Sequence, residues 1–259
     1  MTENHTEFTG AGSETDPLTF TVRLPAPDAV DVAIGGLAKT AKDYAAAFSR
    51  NADLSSNLPA DVRQIVSGAS DAITSTLQTA YSARVKADNF RNDLSLYPQG
   101  REMLANEATK TAVDAVAESF AKADDQLQVA SAVTYEAARP RISPNEAMPA
   151  RADLAMITKR HGNSLGTLVD ALRGLAQRSD AVGALVADQG YLGDFLTAQG
   201  IDPDMREAIL TAVSHEVVKA ASLSGDPARA AAARTNLALT ELRKARVAAN
   251  SFTRLILQR

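Results

Sequence analysis

The first regular pattern along the chain consists of four apolar residues at alternate positions. Each of them is followed by a polar residue or a proline. These residues are Leu18, Phe20, Val22 and Leu24. A period of two is typical of a β-strand with one apolar face. Pro25 and Pro27 end the pattern, because proline lacks the N–H that a strand ladder needs. We therefore predict one short strand near the N-terminus.

From Asp28 onwards the apolar positions recur every three or four residues, which is the period of an amphipathic α-helix. Pro59 is placed at a helix start, and Pro98 with Gly100 marks a break between two helices. The first half of the chain is thus predicted to contain three helices, at about 28–50, 59–89 or beyond, and 99–138.

Three closely spaced prolines, Pro140, Pro144 and Pro149, separate this half of the chain from the next. Proline in a helix interior removes a backbone hydrogen bond and clashes with the preceding turn. We therefore interpret residues 140–150 as a linker and as the best candidate for a domain boundary.

Beyond the linker the pattern is again helical but more interrupted. Glycines at 166, 174 and 183 suggest either close helix packing or a broken helix. Asp202 and Asp226 each precede a proline, the usual combination of an N-cap and a first helical residue. The predicted helices lie at about 150–160, 165–186, 191–199, after residue 202, and after residue 226.

The last of these helices repeats small and apolar residues at a period of about 3.5. The repeating positions are Ala231, Ala238, Leu242, Ala245, Ala249, Phe252 and Ile256. Such a face can form a coiled coil with a second chain, or it can pack antiparallel within one bundle. Both alternatives are open from the sequence.

Taken together, these patterns predict an all-α protein, a multi-helix bundle of long alanine-rich amphipathic helices with one short N-terminal β-strand. The apolar fraction of 45% includes only 12 aromatic residues and no tryptophan, and alanine favours closely packed helices. The predicted organisation is a disordered acidic tail (1–16), a strand plus long-helix bundle (17–139), a Pro-rich linker (140–150) and a C-terminal helical bundle (151–259).

Composition narrows the classes of function. Without cysteine the chain has no disulfides, thiolate metal sites or cysteine nucleophile. A net charge of −4 gives no general attraction to nucleic acid or to anionic lipid. No apolar run approaches the roughly 18 residues that span a bilayer, and the acidic N-terminus differs from a signal peptide. We expect a soluble cytoplasmic protein, or one assembled into a particle made in the cytoplasm, with no membrane partner.

Few residues show the spacing of a catalytic or metal site. His215-Glu216 begins like a zinc-protease motif, but Lys219 stands where the second histidine is needed. Gly35 to Thr40 resembles part of a phosphate-binding loop but lies inside a predicted helix, so we interpret its glycines as a helix–helix contact. We therefore predict no catalytic residue, no metal and no cofactor.

The last helix carries the strongest positive bias in the chain, with a candidate basic surface formed by Arg243, Lys244, Arg246 and Arg254. Such a helix can bind phosphate backbones or an acidic partner. The helix has few interleaved aromatic residues, which makes it a weak match to a nucleic-acid surface.

The predicted strand needs a partner, because a lone strand leaves its backbone N–H and C=O groups unpaired. The partner is either a further segment of this chain, around Ala130 to Tyr135 or Leu255 to Leu257, or a sheet of another subunit. We thus regard Leu18, Phe20, Val22 and Leu24 as a candidate partner-facing strand.

The function that fits these features is that of a non-enzymatic structural or assembly protein, acting through protein–protein contacts with protein partners or as a homo-oligomer. A subunit of a phage particle or of a similar large assembly has this character. The alternative is a nucleic-acid-associated or regulatory factor that uses the basic C-terminal helix.

Overall fold

Helices dominate the computed structural model, which describes residues 5–9, 19–23, 29–162 and 164–258. The predicted all-α class is confirmed. The helices of the described residues are α1 (Ala29–Asn51), α2 (Ala60–Asn92), α3 (Pro98–Ala138), α4 (Pro144–His161), α5 (Leu165–Arg178), α6 (Asp180–Ala187), α7 (Gln189–Ala198), α8 (Pro203–Ala221) and α9 (Pro227–Leu257). None of them is long and apolar enough to cross a membrane.

The residues predicted to begin and end helices in the second half of the chain lie at helix boundaries. Asp202 caps α8 by accepting the N–H of Asp204 at 2.9 Å, and Asp226 caps α9 by accepting the N–H of Ala228 at 2.9 Å. Gly200, at φ +73°, ends the preceding helix in a left-handed conformation that glycine adopts without strain. Polar N-caps and glycine therefore set these boundaries.

A first hydrophobic cluster is built mainly from α1, α2, α3 and α9, whose buried side chains pack together. Phe48, Ile73, Phe120 and Leu242 are among its buried side chains. All seven repeating positions of α9 are buried. The face of α9 that resembled a coiled-coil seam is therefore covered by helices of the same chain.

A second hydrophobic cluster is built from the shorter helices α4 to α8. Leu154, Leu172 and Ile209 are fully buried in it. Gly183 lies where a Cβ would be only 3.3 Å from the Ala176 carbonyl oxygen and 3.3 Å from Pro140 Cγ. Close packing thus explains this glycine, while the predicted 165–186 helix is indeed broken, at Ser179 between α5 and α6.

Two features of the second half differ from the sequence patterns. α4 begins at Pro144 rather than near Ala150, and it contains Pro149, so much of the predicted 140–150 linker is helical. Proline at the first helical position is tolerated since that N–H has no partner within the helix. In addition, α9 packs with the N-terminal helices rather than with α4 to α7. The division into two domains stays a prediction.

Two strands are described ahead of α1, β1 (His5–Thr9) and β2 (Thr19–Arg23), and they pair antiparallel, with Phe8 opposite Phe20. The predicted strand ends, Leu18 and Leu24, lie outside the described residues, so the strand as predicted stays a prediction. The two segments suggested as its partner within the chain are wrong. Residues 130–135 belong to α3 and residues 255–257 to α9, where helical hydrogen bonding occupies the backbone.

Candidate functional site

The predicted basic surface of α9 is engaged largely with its own bundle. Arg246 makes two hydrogen bonds to the Asp124 carboxylate of α3, at 3.1 and 3.0 Å. Its guanidinium also lies 3.8 Å from the centre of the Phe120 ring. A paired and stacked guanidinium of this kind joins α9 to α3, and little of it is left for a phosphate.

The other three predicted residues differ in their surroundings. Lys244 donates to Glu241 at 2.9 Å, which raises the Lys244 pKa. Arg243 donates to the Ser131 hydroxyl of α3 at 3.0 Å. Arg254 is exposed and makes no salt bridge to any described residue. Their use as a binding surface stays a prediction.

Two further arginines of α9 are paired with carboxylates far away in the sequence. Arg229 binds the Asp180 carboxylate through both terminal nitrogens, at 3.1 and 3.2 Å. Arg234 binds Asp53 at 3.1 Å, and hydrogen bonds from Ser55, together with the charge of Arg234, lower the Asp53 pKa. Arg229, Arg234 and Arg246 of α9 are thus each paired with a carboxylate that lies outside that helix.

A polar cleft of about 760 Å³ lies between α3, α8 and α9. The Tyr135 hydroxyl donates to the Ala187 carbonyl at 2.9 Å, and burial raises the Tyr135 pKa. Asn236 donates to the Ser131 carbonyl and to the Thr134 hydroxyl. These hydrogen bonds join α3 to the end of α6 and to α9.

The described helices contain two histidines, His161 at the end of α4 and His215 in α8. His215 is exposed, and its Nδ1 lies 3.9 Å from a carboxylate oxygen of Glu216. Within the described residues no three acidic, histidine or cysteine side chains are grouped as metal ligands. The Gly35 to Thr40 segment lies inside α1, where the Thr40 hydroxyl donates to the Gly36 carbonyl at 2.9 Å.

The most distinctive surface is the end of the α2–α3 hairpin, which extends beyond the other helices of the first cluster. The N-terminal part of α1 and the C-terminal part of α9 lie beside Leu77, Tyr81 and Val113. Past that level α2 and α3 continue as a pair that we call the arm, comprising residues 81–112. The arm is about 18 Å long at a rise of 1.5 Å per residue.

The two helices of the arm are held together by small side chains. The buried residues between them are Ala83, Ala87, Ala105 and Ala112. Alanine lets two helix backbones approach closely, but each side chain buries little apolar area. One ion pair joins the two helices, with Arg91 of α2 3.7 Å from Glu102 of α3, while Arg91 also binds Asp88 of its own helix at 3.3 Å.

At the end of the arm, large apolar side chains face water. Leu94 is 83% exposed, Tyr97 is 88% exposed, and Met103 is also exposed. Phe90, near the end of α2, and Leu96, in the turn between α2 and α3, are half-buried. We call these five residues the tip. Exposed apolar side chains grouped in this way are typical of surfaces that bind another protein.

Hydrogen bonds fix the turn that carries the tip. Asp93 accepts the N–H of Ser95 at 2.9 Å and its hydroxyl at 2.6 Å, and these bonds lower the Asp93 pKa. Arg101 donates to the Leu96 carbonyl at 2.9 Å. The apolar side chains therefore stand on an ordered turn, which reduces the entropy lost on binding.

The sequence pattern predicts neither the arm nor its tip. At residues 94–100 it predicts only a break between two helices. The length of the predicted helices carries a signal for the arm. The helices predicted at 59–89 and 99–138 are both longer than the one at 28–50. A hairpin formed by the two longer helices is therefore expected to extend beyond the first helix at one end.

Comparisons of the chain with models of protein families, with curated proteins and with solved structures give no match.

Proposed function

We propose that this chain is a non-enzymatic structural or assembly protein that acts through protein–protein contacts. The observation that carries the proposal is the tip, where Leu94, Tyr97 and Met103 are exposed together at the end of a projecting helical hairpin. Each of these three side chains leaves most of its surface in contact with water rather than with the chain.

The physical reason is the gain from burying this surface in a partner. Removing apolar area from water stabilises a complex by about 25 cal/mol per Å². Tyrosine and methionine are enriched in interface cores, and aromatic anchors often dominate binding energy. A tip on an ordered turn binds with a smaller entropy cost than a flexible loop.

The finer form of the proposal is a homo-oligomeric subunit of a phage particle or of a similar large assembly. A projecting helical hairpin can make the same contact repeatedly between copies of one chain, as symmetric assemblies require. The support for this form is the shape and exposure of the arm, and the partner is either a second copy or another protein of the same assembly.

The nucleic-acid alternative has weaker support. Arg246 and Arg229 are paired with carboxylates of other helices, and Arg234 is paired with Asp53 in the connection between α1 and α2. Each phosphate contact made by one of these residues would first have to replace a hydrogen-bonded carboxylate. We therefore keep protein–protein contact as the proposed function.

Light scattering on the full chain tests the proposal, with the double variant Leu94→Glu/Tyr97→Glu as the comparison. A carboxylate at each position leaves the exposed turn folded but opposes burial in a partner. The matched control is Leu223→Glu, since Leu223 is 86% exposed in a different connection. We expect a mass above one chain for the wild type and the control, and a lower mass for the tip variant.

A partner other than the chain itself is sought in host extract. The wild type, the tip variant and Leu223→Glu are each used as bait. A protein retained by the wild type and by Leu223→Glu, but not by the tip variant, supports the proposal. A monomeric wild type that retains no protein contradicts it.

A further inference from the structure

A cleft of about 820 Å³ lies where the end of α3 meets α4, α6 and α7. We call it the arginine cleft, after Arg139, Arg141 and Arg151, which line it. Val133, on the α3 wall of the cleft, lies about 45 Å along that helix from Met103 of the tip, at a rise of 1.5 Å per residue. The volume is within the range of about 300–1,000 Å³ that is typical of pockets for small molecules.

The sequence Arg139-Pro140-Arg141 explains why two of the arginines share this cleft. A residue before proline is restricted to an extended conformation, and Arg139 has φ −63° and ψ 135°. Side chains two positions apart along an extended segment lie on the same side. Arg139 and Arg141 therefore both line the cleft, and Arg151 reaches it from α4.

The carboxylates that line the arginine cleft are both bound by the same arginine. They belong to Glu136 and Asp188. Arg139 contacts Glu136 through Nη1 at 2.8 Å and Asp188 through Nη2 at 3.4 Å. Arg141 makes no hydrogen bond or ion pair with any described residue. The three arginines and two carboxylates leave the cleft with an excess of positive charge.

Arg151 is oriented by an aromatic ring rather than by a carboxylate. Its guanidinium lies 5.7 Å from the centre of the Tyr191 ring, and that ring stacks on Phe195 with the centroids 6.2 Å apart. A cation–π contact orients the guanidinium without neutralising its charge or using its N–H donors. Arg151 therefore keeps donors for an oxyanion.

The remaining wall of the cleft is largely apolar. Leu185 is buried, Ile142 is half-buried and Val133 is exposed. An inorganic anion would leave this wall in contact with water, whereas the apolar body of an organic anion would cover it. The cleft is thus suited to a molecule with an anionic group at one end and an apolar group at the other.

The number of guanidinium groups without a carboxylate partner favours a dianion. Arg141 and Arg151 can each donate to one phosphate, which carries a charge of about −1.5 to −2 at pH 7 as a monoester. Arginine forms two parallel hydrogen bonds to phosphate oxygens. A monocarboxylate has half the charge and fewer acceptor oxygens to share between the two arginines.

We propose that the arginine cleft binds a small phosphate monoester with an apolar body. Arg141 and Arg151 hold the phosphate, and Val133 and Leu185 contact the apolar body. This binding activity goes beyond the assembly function proposed above, because it uses a surface far from the tip and needs no second protein.

The probe that tests the proposal is 1-naphthyl phosphate, titrated into the full chain. Because the chain has no tryptophan, the fluorescence anisotropy of the naphthyl group is read without tryptophan emission. We expect saturable binding, and competition by 1-naphthol and by inorganic phosphate at least about tenfold weaker than by phenyl phosphate. If 1-naphthol or inorganic phosphate competes as well as phenyl phosphate, the proposed ligand class is wrong.

Single substitutions locate the bound probe. Arg141→Gln and Arg151→Gln each remove a charged donor from an exposed position, so the fold is expected to be unchanged by helical circular dichroism. Each should weaken binding at least about tenfold. The matched control is Arg160→Gln, an exposed arginine of α4 that does not line the cleft. Equal binding by all three variants overturns the proposal.

Tyr191 is proposed as a positioning residue, and two variants separate its ring from its hydroxyl. Tyr191→Phe keeps the ring under Arg151 and should bind the probe as the wild type does. Tyr191→Leu removes the ring and should weaken binding several-fold. A loss of the same size for both variants contradicts positioning by the cation–π contact.

The tip variant Leu94→Glu/Tyr97→Glu distinguishes this site from the proposed assembly surface. It should bind 1-naphthyl phosphate with the affinity of the wild type, even where its mass in light scattering falls. Loss of the probe in the tip variant would place the naphthyl group at the tip and overturn the proposal. A monomeric wild type that still binds the probe through Arg141 and Arg151 supports this site while contradicting the assembly function.

Discussion

The α2–α3 hairpin is one pair of helices with two different interiors. Where α1 and α9 cover it, large side chains such as Ile73, Leu77, Phe120 and Leu127 fill the interface. In the arm, the buried residues between the same helices are alanines, of which Ala87 and Ala105 are fully buried. The first region is stabilised by burial of apolar area, whereas the arm relies on close backbone contact and gains less from burial.

The difference indicates that the covered part of the hairpin stabilises the fold and that the arm is available for binding. A bundle core with large side chains tolerates little change, and a narrow arm can expose apolar residues without weakening that core. The arm is therefore expected to open locally at a lower free energy than the bundle. The following variants test this contrast, from the largest expected effect to the smallest.

Ile73→Ala removes a fully buried side chain from the bundle half of α2. We expect it to lower the free energy of unfolding by about 2–5 kcal/mol, since it loses apolar burial and leaves a cavity. Chemical denaturation followed by circular dichroism measures the change. A loss below that of the arm variants described next would contradict the assignment of the main core to this region.

Ala87→Leu places a large side chain in the alanine seam of the arm. The helices must separate to admit it, and we expect a cost of about 1–3 kcal/mol. Hydrogen exchange should increase within residues 81–112 and stay unchanged in α1. Asn89→Leu, at an exposed position of the same helix, is the control and should leave the exchange of the arm unaltered.

Arginine variants compare the polar contacts of the two regions. Arg246→Ala removes a paired guanidinium that also stacks on Phe120, and we expect a loss of about 1–2 kcal/mol. Arg91→Ala removes weaker ion pairs of the arm, and we expect a loss of about 0.5 kcal/mol. Equal losses for both variants, measured by urea denaturation, would argue against a special role of the Phe120 stack.

Leu94→Ser/Tyr97→Ser at the tip is expected to change the free energy of unfolding least, by less than about 0.5 kcal/mol, because both side chains already face water. The same variant should nevertheless weaken association in sedimentation velocity runs. A marked fall in melting temperature would mean that the tip packs within its own chain.

The regular parts of this fold were predictable because their signals are local. The three-four period placed α1, α2 and α3, and the Asp-Pro pairs at 202 and 226 placed the starts of α8 and α9. The early start of α4 was missed, since a proline in the first turn of a helix resembles a helix-breaking proline when only the sequence is read.

The surroundings of the candidate residues were less predictable, because they depend on contacts between distant parts of the chain. Nothing near Arg246 in the sequence indicates that Asp124 will neutralise it, and the same holds for Arg229 and Asp180. The arm was hidden for a similar reason. Its exposure follows from where α1 and α9 end in space, which only their packing against α2 and α3 defines.

The central claim is that this chain works by association with protein partners, and its solution mass tests that claim most directly. Light scattering is measured over a range of concentrations on the full chain and on its Leu94→Glu/Tyr97→Glu variant. We predict a mass above one chain for the full protein and a lower mass for the tip variant. A full chain that stays monomeric throughout, and recovers no partner from its host, would contradict the account.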